Sequence, residues 1–167
     1  IDYVTVQSEG NAVDFGDMRD NHYEGMGFSS PTRGFVAGAD STSGTIGKGE
    51  IDYITISTLG NSAGFGDQSE TSTWQRACAS NAVRGLIMGG RKSPTETNSI
   101  DFITMASLGN AIDFGDLTRI ARYEFAASSP TRVVNAGGYS SPANNDTIDY
   151  VQIMTTGNAV DFGNLTA

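Results

Sequence analysis

Along residues 1–6 apolar and polar side chains alternate, with Ile1, Tyr3 and Thr5 on one side and Asp2, Val4 and Val6 on the other. A period of two is that of a β-strand, and apolar residues on both sides predict a strand partly covered on both faces. The pattern returns at Ile51-Asp52-Tyr53-Ile54, Ile100-Asp101-Phe102-Ile103 and Ile148-Asp149-Tyr150-Val151, with starts 50, 49 and 48 residues apart. In every copy a Phe stands fourteen residues after the leading Ile (Phe15, Phe65, Phe114, Phe162) and opens a Phe-Gly-Asp or, in the last copy, Phe-Gly-Asn triplet. A period near fifty with fixed internal spacing indicates a repeat architecture, whose units bury their apolar faces only against their neighbours.

Within each unit the strand is followed by a Gly-Asn pair, at Gly10-Asn11, Gly60-Asn61, Gly109-Asn110 and Gly157-Asn158. Both residue types tolerate a positive φ, which predicts a hairpin turn and a short returning strand ending at the Phe. After a polar link, residues 23–28, 74–79 and 123–128 predict a strand that is built mainly of small residues behind a leading aromatic, Tyr23, Trp74 or Tyr123. Small side chains suit a crowded site near a symmetry axis. A tight turn then leads to Arg33, Arg84 or Arg132 and to a further strand over residues 34–38, 85–90 and 133–138. The segments 39–50, 91–99 and 139–147 differ in length and in nearly every residue, are rich in Ser, Thr, Asn, Gly and Pro, and read as exposed loops. Variable segments of a repeat protein cluster on one face, often the binding face.

Composition narrows the function. The 167 residues suffice for one core, and 21 Gly with few Lys favour strands and turns over helices. A net charge of -9 with ten scattered basic residues argues against a nucleic-acid partner, which needs clustered Lys and Arg. No apolar run is long enough for membrane insertion as a helix, and no signal peptide is expected among these residues. The first residue is not Met, so the chain is expected to be processed or cut from a longer one. The single cysteine, Cys78, lies between Ala77 and Ala79 and reads as a buried thiol acting as a small apolar group.

Candidate chemistry is sparse. The doublets Asp14 with Asp17, Asp113 with Asp116 and Asp161 with Asn164 place oxygens three residues apart around a Gly, and the first two are weak metal candidates. The second copy offers Gly64 with Asp67, and the plainer reading is a side chain capping the turn after the strand. Asp2, Asp52, Asp101 and Asp149 recur between apolar neighbours, where a carboxylate needs a partner, and the nearest repeated cation is the Arg of Arg33, Arg84 and Arg132. A structural Asp-Arg pair is expected, with an anionic ring facing a ligand as the alternative. His22 has no repeated counterpart and reads as a surface residue; no nucleophile elbow, phosphate loop or zinc spacing is present. No catalytic residue and no cofactor are expected, although a glycosidase carboxylate pair stays open among so many acids. Tyr23, Trp74 and Tyr123 are the candidate ligand-binding residues, as flat rings with polar tips suit sugar faces, beside an ordinary packing role.

Four short strands per unit and Gly-Gly at Gly89-Gly90 and Gly137-Gly138 resemble the kelch repeat of β-propellers, with Tyr3, Tyr53 and Tyr150 in place of its tyrosine. Gly38-Ala39 departs from the di-glycine, Phe102 replaces one tyrosine, and Phe15, Phe65, Phe114 and Phe162 stand where the family has tryptophan. The phrases Ile-Asp-Tyr-Val-Thr and Gly-Asn-Ala-Val-Asp-Phe-Gly-Asp are similar to kelch-like repeat arrays in structural proteins of bacteriophages of marine bacteria and cyanobacteria. That resemblance implies an all-β, kelch-like β-propeller of four-stranded blades with a repeat of about 49 residues, here about 3.5 blades. The units would be a half blade over 1–20 and blades over 21–69, 70–118 and 119–167.

Four outer strand pairs against three inner ones leave an open edge, so other copies or a longer parent chain are expected to complete the ring. The resemblance further implies a non-catalytic virion or tail-fibre module, located on the virion or outside the cell, with virion proteins or host-surface glycans as partners. A lectin-like propeller outside any virion and a glycoside-active enzyme are the alternatives.

Overall fold

The computed structural model describes residues 1–39, 49–70 and 73–166. Most of the first variable loop, at residues 40–48, lies outside the described residues. Among the described residues the fold is all-β, with antiparallel pairing throughout and no helix. The chain opens with a pair of two-residue strands, β1 (Asp2–Tyr3) and β2 (Val13–Asp14). The first four-stranded sheet follows in sequence order, β3 (Met26–Ser29), β4 (Arg33–Ala37), β5 (Glu50–Thr55) and β6 (Ala63–Asp67).

The second sheet keeps that order and adds a hairpin. Its strands are β7 (Thr73–Trp74), β8 (Ala77–Ser80), β9 (Arg84–Met88), β10 (Arg91–Lys92), β11 (Thr95–Thr104) and β12 (Ile112–Ala121). The succession β8-β9-β11-β12 matches the first sheet, while β10 pairs with the early part of β11 and β7 pairs with β10. The third sheet is β13 (Phe125–Ser128), β14 (Arg132–Ala136), β17 (Thr147–Gln152) and β18 (Val160–Asn164), with a separate ribbon of β15 (Tyr139–Ser140) and β16 (Ala143–Asn144) in its variable loop. Among the described residues no sheet closes on itself.

The recurring Phe is a β-bulge residue. Ile51 faces Gly66 and Asp52 faces Gly64, so Phe65 is the extra residue, and the same shift occurs beside Phe114 and Phe162. A bulge bends and twists its strand. The following glycine makes this geometry possible at Gly16, Gly115 and Gly163, with φ of 146°, 143° and 140°.

The sheets stack face to face with two cores between them. Phe28, Phe35, Ile51 and Phe65 of the first sheet meet Cys78, Ile87, Ile103 and Met105 of the second. The other face of the second sheet, through Ala77, Leu86, Met88, Ile100 and Phe102, meets Val133, Val151 and Ile153 of the third. Residues 86 to 88 alternate between the two cores, and in β11 Ile100 and Phe102 enter one core and Ile103 the other, as the period of two predicts for that copy of the repeat. In the first copy Tyr3, Val4 and Val6 are instead exposed, because among the described residues no sheet covers them. Burial pushes the Cys78 thiol up to about 12, in keeping with an inert apolar role. The first strands β3, β8 and β13 lie side by side, and the second strand β9 also comes close, since a side chain on its Gly85 would overlap the ring of Phe28 on β3.

A second repeated contact joins the outer parts of the sheets. The amide of Gly60, Gly109 and Gly157 donates to the carbonyl of Phe15, Phe65 and Phe114 in the preceding unit, at 2.8, 3.1 and 2.8 Å. The amide of Asp17, Asp67 and Asp116 donates to the side-chain oxygen of Asn61, Asn110 and Asn158, at 2.9, 3.1 and 3.1 Å. The carbonyls of the same three Asp accept from Ser62, Ala111 and Ala159 at 2.8, 2.7 and 2.7 Å. Backbones approach closely here, because a Cβ on Gly16 or Gly115 would stand 2.5 or 2.6 Å from the carbonyl carbon of Gly60 or Gly157. The two sequence signatures of the repeat, Gly-Asn and Phe-Gly-Asp, are therefore the two halves of one inter-sheet joint.

Candidate functional site

The four recurring carboxylates occupy two environments. Asp52, Asp101 and Asp149 are wholly buried, whereas Asp2 is exposed. A buried carboxylate is costly unless paired and hydrogen-bonded, and all three meet that condition. Arg76 Nη1 stands 2.8 Å from Asp101, both side chains being out of solvent. Its other amino group donates to the carbonyls of Ile87 and Ser99 at 3.1 and 2.9 Å. Arg119 Nη1 stands 2.8 Å from Asp149, which also accepts from the Thr118 amide and hydroxyl at 3.1 and 2.6 Å. Ser69 serves Asp101 in the same way through its amide and hydroxyl. Asp52 is held by Arg19 at 2.9 Å and by His22 Nε2 at 3.1 Å.

These partners replace the expected Arg33, Arg84 and Arg132. In the register Arg33 faces Thr55 while Asp52 faces Val36, and Arg84 and Arg132 are displaced from Asp101 and Asp149 in the same way. Three positions along a strand is an odd number, so Arg and Asp emerge on opposite faces. The guanidinium groups of Arg33, Arg84 and Arg132 lie over the rings of Tyr53, Phe102 and Tyr150, at 4.9, 4.5 and 5.1 Å from the centroids. Arg33 and Arg84 also donate across the gap to the carbonyls of Met105 and Ile153 in the following sheet, at 2.8 and 3.3 Å. His22 is likewise not a surface side chain: it is 6 % exposed and pairs with Asp52.

The Asp doublets serve the turns. Asp14, Asp113 and Asp161 each accept from the amide of the glycine two residues on, at 3.1, 3.1 and 2.9 Å. Asp17 and Asp116 enter the joint through their backbones. Among the described residues no group of three or more His, Cys, Asp or Glu side chains is placed to share a metal ion.

The candidate site lies where the first strands begin. Glu24, Gln75 and Tyr123 have φ of 56°, 58° and 58°, a left-handed conformation uncommon outside glycine and concentrated at functional positions. They hold equivalent places in the three sheets, and their side chains converge. Gln75 Nε2 donates to Glu24 at 2.7 Å and to the Tyr123 hydroxyl at 2.6 Å, and that hydroxyl donates to Glu24 at 3.3 Å. Burial and the neighbouring Glu24 charge hold the Tyr123 phenol above its ordinary value. Arg122 flanks the cluster, its guanidinium 5.4 and 5.1 Å from the ring centroids of Tyr123 and Tyr139 and 3.6 Å from Glu96.

Of the three aromatic residues expected to bind a ligand, this arrangement contains one. Tyr123 is half exposed within the cluster, Tyr23 is exposed beside it in sequence, and Trp74 is buried under Arg91 at 5.8 Å. The equivalence of Glu24, Gln75 and Tyr123 shifts the third unit by one residue, so that Arg122, not Tyr123, matches Tyr23 and Trp74. Behind Tyr123, Glu124 is buried against Gly89 and Gly138, and among the described residues no other residue hydrogen-bonds its carboxyl oxygens. Burial pushes its carboxyl up to about 8, against the pull of Arg119 and Arg76.

The cluster brings together a carboxylate, an amide, a phenol and a guanidinium, a set that recognises hydroxyl and amide groups by hydrogen bonding. Glu24 and Gln75 were not legible as site residues, because neither their type nor their spacing signals a left-handed backbone. No protein-family model and no curated protein sequence matches the chain.

Proposed function

We propose that the three stacked sheets are blades of a kelch-like β-propeller and that the chain is a non-catalytic attachment module of a phage virion or tail structural protein, displayed outside the cell. Its partners are virion proteins or host-surface groups, glycans among them, and other copies or a longer parent chain complete the ring. Support for the propeller comes from the repeated four-strand order and from the first strands, which gather side by side as inner strands around an axis do. The attachment reading is carried by one observation: three successive sheets contribute Glu24, Gln75 and Tyr123 to one hydrogen-bonded surface cluster on left-handed backbone.

Mass spectrometry of purified virions from the source culture tests this reading. Peptides of this chain among the virion proteins are the expected result, and their absence from virions overturns it. Tyr123 and Tyr139 on either side of Arg122 also favour a lectin-like protein independent of any virion. For that reading, glycan-array binding lost in Tyr123→Ala, by a chain absent from virions, is the expected outcome.

A further inference from the structure

Each joint between successive units has a tail half, the Phe-Gly-Asp triplet, and a head half, the Gly-Asn turn, and the two joints between four-stranded sheets add a cross-gap Arg, Arg33 or Arg84, with the carbonyl that it reaches. Three joints are filled. One tail half and one head half are left over, at opposite ends of the array.

At the tail end Phe162 is 61 % exposed, whereas Phe15, Phe65 and Phe114 are 7, 4 and 3 % exposed. A Cβ on Gly163 would meet nothing within 4 Å, although Gly163 has the same φ as Gly16 and Gly115, which abut the next unit. Arg132 stacks on Tyr150 like its counterparts but reaches no further sheet. At the head end, among the described residues, the amides of Gly10 and Ala12 and the side chain of Asn11 have no hydrogen-bond partner. Val6 is 90 % exposed, while Ile56, Met105 and Ile153, which hold its place in the three sheets, are 48, 1 and 0 % exposed, the low values belonging to the two whose carbonyls an Arg reaches.

The outer parts of the two free faces are complementary, since each carries the half of the Gly-Asn and Phe-Gly-Asp joint that is filled by the other kind between successive units. We propose that two copies of this chain associate head to tail, with Phe162-Gly163-Asn164 of one seated on Gly10-Asn11-Ala12 of the other and Arg132 donating to the carbonyl of Val6. The backbone bonds of the joint need no change of side chain: Asn164 offers the same amide and carbonyl as Asp17, Asp67 and Asp116. Asp2, the one exposed member of its series, then lies where Thr118 meets Asp149, facing Thr166 of the preceding copy. A contact between two different faces is heterologous, and it makes a closed ring or an open filament according to its rotation. The proposal deepens the partner part of the reading above but rests on the joints alone, so a failure of the virion reading leaves it standing.

Sedimentation velocity on the full chain over a range of concentrations tests it, with Phe162→Asp to disable the tail and Ala12→Glu to disable the head. Both positions are exposed, so both variants keep the wild-type circular dichroism and unfolding midpoint. The wild type is expected to self-associate, each variant alone to do so at least about tenfold more weakly, and an equimolar mixture of the two variants to recover a one-to-one dimer through its single intact pair of faces. A wild type that stays monomeric at all concentrations overturns the proposal, as does a mixture that associates no better than either variant.

Discussion

Glu124→Gln isolates one buried carboxyl. The side chain is 5 % exposed, no other described residue hydrogen-bonds its oxygens, and burial raises it from an ordinary 4.5 to about 8. In the unfolded chain the group ionises near 4.5, so between 4.5 and 8 the folded state binds a proton that the unfolded state has lost. Stability therefore falls as pH rises through this window: the contribution of the protonated carboxyl is fully present below 4.5 and lost above 8. At about 1.4 kcal/mol for each tenfold change in proton affinity, the loss amounts to roughly 5 kcal/mol.

The amide of Glu124→Gln keeps the shape and does not titrate. Urea unfolding of both proteins at pH 5, 6.5 and 8.5 yields a difference curve in which every other titrating group cancels. The variant is expected to match the wild type to within about 1 kcal/mol at pH 5 and to exceed it by about 3–5 kcal/mol at pH 8.5. A difference that does not change with pH would refute the placement of Glu124 as a buried, unpaired acid.

Arg76→Met leaves the carboxylate of Asp101 buried and unpaired, and a loss of about 3–5 kcal/mol in the urea midpoint is expected, largely restored by adding Asp101→Asn. Asn110→Ala removes the acceptor of the Asp67 amide and should destabilise by about 0.5–1.5 kcal/mol, whereas Asn11→Ala, at the unfilled head, should leave the unfolding of the isolated chain unchanged. Gly85→Ala drives a methyl into the ring of Phe28 and should lower stability by about 1–3 kcal/mol in thermal unfolding.

The strands were legible because their determinants are local. Alternation over Ile51-Asp52-Tyr53-Ile54 and the Gly60-Asn61 turn place β5 and β6 within two residues of where they stand. What those residues do between units was not legible, since Asn61 meets Asp17 and Asn110 meets Asp67 across more than forty residues. Repetition misled the pairing of the buried acids. A repeated Asp suggested a repeated Arg, yet Arg19 and Arg119 come from the link after the Phe-Gly-Asp triplet and Arg76 from just before a first strand. The three carboxylates need a cation and are indifferent to where in the unit it originates. Tyr123 was singled out as an aromatic ring, but its place in the cluster follows from a backbone conformation shared with Glu24 and Gln75 that no side-chain type announces.

The central claim, that these stacked sheets are blades around an axis, is tested most directly by electron-microscopic class averages of the assembled protein. Blades around an axis give a ring of radial spokes about a central opening, with the first strands β3, β8 and β13 innermost. Averages showing a stack of layers or a filament with no central opening would contradict it.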